Sequence, residues 1–391
     1  MKIVVTGGGS GGHITPILAV AHELKVLDSS CQVIYIGQKG DKLADIPAQD
    51  PNIDQVYTVW AGKFRRYADE NWLKRLFDFR TIALNLRDGF RVLYGTGQSW
   101  RLLRGLKPDV IFTRGGFVSV PVALGGRLNR IPYITHDSDS VPSLANRLIA
   151  RWAHLHAVAL PPELYPYPKD KTVVVGVPVA AQYEPVTPAL RAQYRDSLGL
   201  ENFQHVILLT GGGNGARMLN MALVDNARYL LGTYPDLAIL HITGRALEAE
   251  TGAAYDALQL GASRGRVFVH GFVTDLYRYS GAADVVIARG GATNLAEFAL
   301  QQVACVLVPS KQLGWNVQNA ATLAEHGAVL QLTEDQAEQP ERLGRVIGDL
   351  LEQDKKRTEL AHTLAEYAHP HAAAELAALI LKTGGAEDAR S

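Results

Sequence analysis

KIVVTGGGSGGHITPILAVAHELK, residues 2–25, is the stretch from which the rest of the chain is read. The β-branched run at residues 2–6 reads as a short buried strand and residues 7–12 as a glycine loop. From Thr15 onward the pattern is a helix, with Pro16 in its first turn, where a missing N–H costs little. Five glycines and a serine let the backbone approach a ligand closely. The helix that follows points free N–H groups and the positive end of its dipole at whatever sits there, so an anion is the natural guest. A turn that merely packs strand against helix is the alternative. His13 sits where the loop meets the helix: an imidazole kept neutral there can accept a proton, and it can equally serve as a cap.

At 391 residues the chain is long enough for two domains. Lys plus Arg and Asp plus Glu balance at 39 each, which gives no overall reason to expect nucleic acid as a partner. Only Cys31 and Cys305 are present, far apart and in apolar surroundings, which argues against a disulfide framework or a cysteine metal site and fits a reducing cytoplasm. The start MKIVVTGGG has no basic region followed by an apolar run, and no stretch approaches the roughly 18 apolar residues of a spanning helix. The expectation is a cytoplasmic protein whose contact with a membrane is peripheral.

Short β-branched runs alternate with helical patterns at residues 33–36, 110–113, 132–136, 206–210, 238–242, 267–270, 285–288 and 306–309. Such alternation predicts an α/β chain of βαβ units with parallel sheets. An internal repeat sharpens this. Thr6-Gly7-Gly8-Gly9-Ser10-Gly11-Gly12 returns as Thr210-Gly211-Gly212-Gly213-Asn214-Gly215-Ala216, and the strand ending Thr113-Arg114-Gly115-Gly116 returns as Ala288-Arg289-Gly290-Gly291. Two Rossmann-like domains are expected, with these strand ends facing an interdomain cleft. The boundaries drawn are residues 1–178, residues 179–368, and a C-terminal helix and tail at 369–391, frayed from Gly384.

Residues 60–107 carry eleven basic residues against four acids, with Trp60, Phe64, Tyr67, Trp72, Phe77, Phe79 and Phe90 interleaved. A basic aromatic surface suits an anionic membrane or a lipid phosphate, and a solvated helix face with its aromatics in the core would read the same way.

Several chemistries are tested by these motifs. A dinucleotide site wants an acid at the end of the second strand, and that strand ends Ile36-Gly37-Gln38. Asp137-Ser138-Asp139 has the form of a metal-diphosphate motif, but glycine loops and helix termini can neutralise phosphates unaided, so no metal is assigned. Arg289-Gly290-Gly291-Ala292-Thr293-Asn294-Leu295-Ala296-Glu297 opens a helix whose first N–H groups can hold a diphosphate. Thr293 and Asn294 are expected to help cap it, and Glu297, one turn in, can accept both hydroxyls of a ribose or simply serve the cap. Together these parts describe a site for a nucleoside-diphosphate sugar.

Several segments in order resemble the bacterial MurG-type N-acetylglucosaminyltransferases: GGSGGHITPILAVA from Gly8, AGKFRRY from Ala61, RGGFVSVPVAL from Arg114, VPSLANRLIARWA from Val141, GARMLN from Gly215 and RGGATNLAE from Arg289. The resemblance spans about residues 1–335. It implies a glycosyltransferase-B fold and metal-independent, inverting transfer of N-acetylglucosamine from UDP-GlcNAc to the 4-hydroxyl of a MurNAc-pentapeptide carried on undecaprenyl diphosphate. It also implies peripheral attachment to the anionic cytoplasmic face of the membrane, with no cofactor. Carried over by motif, Ser10, Gly11, Gly12 and His13, with Arg114, Gly115 and Gly116, would face the acceptor, His13 as general base. Gly291 to Glu297 would hold the donor's diphosphate and ribose, with Arg289, Gly213 and Asn214 nearby, and Val273 would lie by the uracil.

The chain departs from the family at donor contacts. An expected sugar-contacting amide is Asp139, an expected arginine is Ala180, an expected serine is Gly213, and the usual His-Gln or Gln-Gln is replaced by Trp315-Asn316 ahead of Asn319-Ala320. Gln312, Asn316 and Gln318 can supply amides instead. These changes keep open a different UDP-sugar or lipid acceptor, a UDP-sugar epimerase of the same fold, and a non-catalytic sugar-nucleotide-binding protein.

Overall fold

The computed structural model describes residues 1–8, 11–41, 43–63, 79–139 and 141–385. Two units emerge: Met1–Ala180 together with the chain from His371 on, and Ala181–Pro370.

The first unit is built on seven strands, β1 (Lys2–Thr6), β2 (Gln32–Gln38), β3 (Gln55–Val59), β4 (Val110–Thr113), β5 (Tyr133–Asp137), β6 (Leu155–Val158) and β7 (Thr172–Val174). They are all parallel, in the order β3-β2-β1-β4-β5-β6-β7. The second unit has β8 (His205–Thr210), β9 (Leu237–Ile242), β10 (Val267–His270), β11 (Val285–Ala288), β12 (Ala304–Leu307) and β13 (Leu330–Gln331). These too are parallel, in the order β10-β9-β8-β11-β12-β13.

Both sheets therefore wind the same way, and in each the order reverses beside the first strand, where open α/β sheets bind ligands at the carboxyl ends. The glycine loops after Thr6 and Thr210 and the Arg-Gly-Gly turns after Thr113 and Ala288 fall at those two reversals. The repeat has a mechanical cause as well. Asp109 gives its N–H to the Lys2 carbonyl (2.9 Å) and accepts the Lys2 N–H on its carboxylate (2.7 Å). Asp284 makes the same pair of bonds to Val206, at 2.8 Å each. One acid thus pins the fourth strand of each sheet to the first.

Strands buried on both faces read as continuous apolar runs. In β1, Ile3 and Val5 face one core layer and Val4 the other; in β8, Ile207 and Leu209 oppose Val206 and Leu208.

Three expectations are corrected. The first helix runs Gly11–Leu27, so Gly11 and Gly12 are its opening turn and Pro16 lies inside it, with no N–H for the carbonyl of Gly12. The final helix, Ala372–Gly385, is not a separate appendage: Leu376, Ala377 and Ile380 join Ile17, Val20 and Val5 in the core of the first unit. Gly384 is still helical and packed, since a Cβ there would stand 2.8 Å from Met1 Sδ and 3.1 Å from Val110 Cγ1, so fraying does not begin at Gly384.

Of the basic aromatic stretch, the helix Phe79–Leu106 is described. Phe64, Tyr67, Trp72 and Phe77, with the arginines and lysines among them, lie outside the described residues.

Candidate functional site

In the first unit the end of β1 turns directly over the end of β4. The Arg114 N–H continues the ladder to the Thr6 carbonyl at 3.0 Å. Gly115 and Gly116 follow with φ of +87° and +81°, a backbone that a side chain would strain. At Gly116 a Cβ would stand 2.9 Å from the Gly8 carbonyl oxygen and 3.7 Å from the His13 ring. His13, Arg114 and Gly116 are thereby brought together, with the Gly8 backbone between them. Ser10 lies outside the described residues. Gly7 serves packing: a Cβ there would stand 2.7 Å from Ile17 Cδ1.

His13 is half-buried and has no hydrogen-bond partner for Nδ1 among the described residues. Burial, then the nearby Arg114 charge, pull its pKa down to about 4, a contact with the Arg114 backbone opposing them. The ring is neutral at pH 7 and can accept a proton.

Arg114 is itself buried and donates to the Ser138 hydroxyl. Burial lowers its pKa while Asp139 and Asp137 oppose that. Asp137 accepts the Ser143 N–H (3.0 Å) and the Tyr167 hydroxyl (2.7 Å), and Tyr165 donates to the Asp139 carbonyl at 3.1 Å. His136 sits below, its Nε2 2.8 Å from the Gly176 carbonyl, and Asn146 donates to the His136 carbonyl at 2.8 Å. Among the described residues five buried side-chain polar atoms lack a partner, and four of them are His13 Nδ1, Arg114 Nε, His136 Nδ1 and Asn146 Oδ1. An unmet buried polar group costs about 1–3 kcal/mol, so polar groups left unmet at this strand end are available to a ligand or to water. Asn146, Tyr165 and Tyr167 were not singled out from sequence; nothing local in Pro161–Pro168 signals that its tyrosines clamp a turn far upstream.

In the second unit the glycine loop is a tight turn. Thr210 Oγ1 accepts the Gly212 N–H (3.2 Å), and the Gly215 N–H closes on the Gly212 carbonyl (2.9 Å). Gly213 and Asn214 form its tip, Asn214 exposed. Gly212 has a φ of +78°, and a Cβ there would stand 3.9 Å from Asn294 Oδ1, so the loop adjoins the start of the helix Ala292–Gln301.

That helix begins differently from expectation. Its N-cap is Gly291, which has no side chain to offer. Thr293 and Asn294 are already in the first turn, and Asn294 donates instead to Glu297, at 2.8 Å. The first turn of this helix points its N–H groups outward, an arrangement suited to an anion, and a Cβ added at Gly291 would meet nothing within 4 Å.

Glu297 is buried, and its carboxyl also accepts from the Tyr183 hydroxyl. Burial pushes its pKa up to about 8 against the pull of those two donors. Tyr183 was not anticipated, being a single residue of an irregular segment. Arg289 is engaged by Glu334 (2.7 Å) and the Val308 carbonyl (3.0 Å), so this guanidinium braces the end of β11. Val273 is half-buried next to Phe272, over which Arg245 stacks at 4.7 Å. Asn316 is buried in the first turn of the helix Gly314–Glu325, its carbonyl 3.5 Å from a Cβ built on Gly290, whereas Gln312 and Gln318 are exposed. Among the described residues no group of three or more His, Cys, Asp or Glu could hold a metal ion.

Comparison with known proteins gives a consistent result. Residues 3–158 match the glycosyltransferase family 28 N-terminal domain and residues 206–376 its C-terminal domain. A Bacillus thuringiensis protein is 34% identical over 339 residues, 85% of this chain and 87% of its own; it is named UDP-N-acetylglucosamine–N-acetylmuramyl-(pentapeptide) pyrophosphoryl-undecaprenol N-acetylglucosamine transferase 3. A Moorella thermoacetica protein of the corresponding name is 31% identical over 391 residues, 98% of this chain and 99% of its own. The crystal structure of Acinetobacter baumannii MurG superposes with a TM-score of 0.66 at 25% identity, covering 97% of this chain and 99% of that one.

Proposed function

The chain belongs to glycosyltransferase family 28, and from that premise we infer that it is a UDP-GlcNAc-dependent hexosyltransferase that moves N-acetylglucosamine to a MurNAc-pentapeptide carried on undecaprenyl diphosphate. The structural observation that carries the chemistry is His13, neutral at pH 7 and with one ring nitrogen that has no partner among the described residues, beside Arg114 and two left-handed glycines.

In this reading His13 takes the proton of the acceptor's 4-hydroxyl as that oxygen bonds to the anomeric carbon and the bond from that carbon to the UDP oxygen breaks. The acceptor's diphosphate lies against the glycine loop and Arg114, and its negative charge raises the pKa of His13 from about 4 toward neutrality, making it a stronger base. UDP departs into the N–H groups that open the helix Ala292–Gln301, with the loop around Gly213 beside it and Glu297 on the ribose. The reading calls on no cofactor and no nucleic acid.

A second reading keeps the reaction and changes the donor sugar. It is favoured by Asp139, a carboxylate near Arg114 where the family resemblance calls for an amide.

The test is transfer of labelled GlcNAc from UDP-GlcNAc to a short-chain polyprenyl-diphosphoryl MurNAc-pentapeptide. Wild type should transfer, and His13→Ala should lose about 10²–10⁴-fold, the usual worth of a general base. Absence of wild-type transfer, with another UDP-sugar bound or epimerised, would overturn the assignment of donor and reaction.

Membrane attachment is part of the same proposal. No helix among the described residues is long and apolar enough to cross a bilayer. The helix Phe79–Leu106, however, exposes Leu86, Phe90, Leu93 and Tyr94 at 59–71%, on one face by their spacing, with Arg87, Arg91, Arg101 and Arg104 on the same helix. Apolar side chains on a helix that also carries arginines suit the interface of an anionic leaflet at the cytoplasmic face. Replacing Phe90 and Leu93 by Ser should cut binding to phosphatidylserine vesicles at least tenfold with UDP binding unchanged; equal vesicle binding would refute this part.

A further inference from the structure

Immediately after the boundary at Ala180, the chain does not simply cross to the next helix. Residues 181–187 lie down on the second unit at three points. The Tyr183 ring packs edge-on against Tyr277, with centroids 6.0 Å apart. The Val186 N–H donates to the Gln301 carbonyl at 3.2 Å, at the far end of the helix Ala292–Gln301. Thr187 caps the helix Pro188–Ser197 through its side chain, which accepts the Leu190 N–H at 3.2 Å. Held between these anchors, the Tyr183 hydroxyl donates to the Glu297 carboxylate.

We propose that Tyr183 is a positioning residue for the nucleotide site, its hydroxyl holding the Glu297 carboxylate in the orientation that a ribose diol must meet. The inference rests on the reading of Glu297 as the ribose contact. A carboxylate accepts both hydroxyls of a vicinal diol only if its plane is fixed and its charge is present. Asn294 fixes it from within the same helix, one turn back, and Tyr183 fixes it from a different segment. Two donors from two elements determine the carboxyl plane where one would leave it free to rotate.

The same hydroxyl keeps the charge available. The groups that face Glu297 are Asn294 and Tyr183, both of which lower its pKa against the dominant effect of burial. Those that face Tyr183 in turn are Glu297, Asp275 and Tyr277, and Asp275 is paired with Arg278 at 2.7 Å. With Glu297 at about 8, nucleotide affinity should rise with pH through that value, because the diol needs the ionised form. Removing the Tyr183 hydroxyl moves the rise to higher pH. Each unit of movement costs tenfold in affinity at neutral pH.

Titration of UDP and of 2′-deoxy-UDP into the full chain between pH 6 and 9.5 tests this, comparing wild type, Tyr183→Phe and Glu297→Gln. Phenylalanine keeps the ring against Tyr277, and the melting temperature of the unliganded variant checks that the fold is retained. Tyr183→Phe is expected to weaken UDP at least tenfold at pH 7, to recover in part at pH 9.5, and to shrink the preference for UDP over 2′-deoxy-UDP. Loss of affinity for both nucleotides by the same factor at every pH would mean a merely structural role and would overturn the proposal, as would a pH midpoint and a preference equal to wild type. Failure of the underlying reading looks different: wild type would not bind UDP, or Glu297→Gln would bind it as wild type does.

Discussion

Burial acts in opposite directions on the two side chains most central to the proposed chemistry. It strips His13 of its proton, down to a pKa of about 4, and presses one onto Glu297, up to about 8. Both are left uncharged at pH 7 in the unliganded protein, the cheapest state for groups removed from water. Each becomes useful when its substrate arrives: an anionic acceptor raises the basicity of His13, and a nucleotide diol repays the ionisation of Glu297. Arg114 is the counterweight in the first case, since its charge is the second cause of the low pKa at His13, after burial. Its own charge is balanced by Asp137 and Asp139, so the arginine supplies a local field without standing as an isolated buried ion. A histidine and a glutamate beside glycine loops were visible in the sequence as candidates. Their environments were not, because Arg114 comes against His13, and Tyr183 against Glu297, only through folding.

The same tripeptide Arg-Gly-Gly ends a strand in both units, yet it makes two different turns. In the first unit both glycines take positive φ and the second presses on the Gly8 backbone; in the second only Gly290 does, and Gly291 is an ordinary helix N-cap with a φ of −71°. Gly116→Ala must therefore adopt a left-handed backbone and push a methyl to within 2.9 Å of the Gly8 carbonyl oxygen, a cost of about 2 kcal/mol or more. Gly291→Ala has conformational freedom and open space, so its cost in stability stays within about 1 kcal/mol. The methyl would instead occupy the approach to the helix N-terminus and weaken UDP binding. Urea denaturation and UDP titration of both variants check this; a Gly291→Ala protein that loses stability but not nucleotide affinity would contradict it. The echo of these turns was legible because Asp109 and Asp284 impose the same strand register and leave the same letters. The difference between them was not, since backbone dihedrals leave no trace in a glycine. For a similar reason the helix Ala372–Gly385 was legible as an element while its partner was not: Leu376, Ala377 and Ile380 announce a buried face without saying against what. The helix that starts at Gly11 shows the limit of local propensity, which favours a loop at two glycines that long-range packing winds into a turn.

At the scale of the whole molecule, the two units share one topology but carry opposite loads of buried titratable groups, and this fixes how each responds to acid. The first unit holds three histidines with depressed pKa values: His13 and His156 at about 4, and His136 well below its ordinary 6.5. A group with a depressed folded pKa contributes stability that is present above its unfolded pKa and lost as pH falls through the folded one, so these three contributions disappear progressively below pH 6.5. At about 1.4 kcal/mol per pKa unit, His156 alone stands to lose on the order of 3 kcal/mol by pH 4. Asp137, raised by burial, works the other way, but only as pH approaches the carboxylate range. The second unit has one such histidine, His241 at about 3, and sets against it Glu297, whose raised pKa contributes stability that is full below about 4.5 and lost as pH rises through about 8. Between pH 7 and pH 4.5 the second unit's changes oppose each other while most of the first unit's add. The first unit should therefore open first on acidification. Amide hydrogen exchange followed across that range, corrected for the intrinsic pH dependence, should show protection falling in β1, β4, β5 and β6 before β8, β9 and β11. Earlier loss in the second unit's strands, or loss at one common pH, would mean that the buried histidines do not govern acid stability, and that the charge balance of each unit is set by groups other than those at its site.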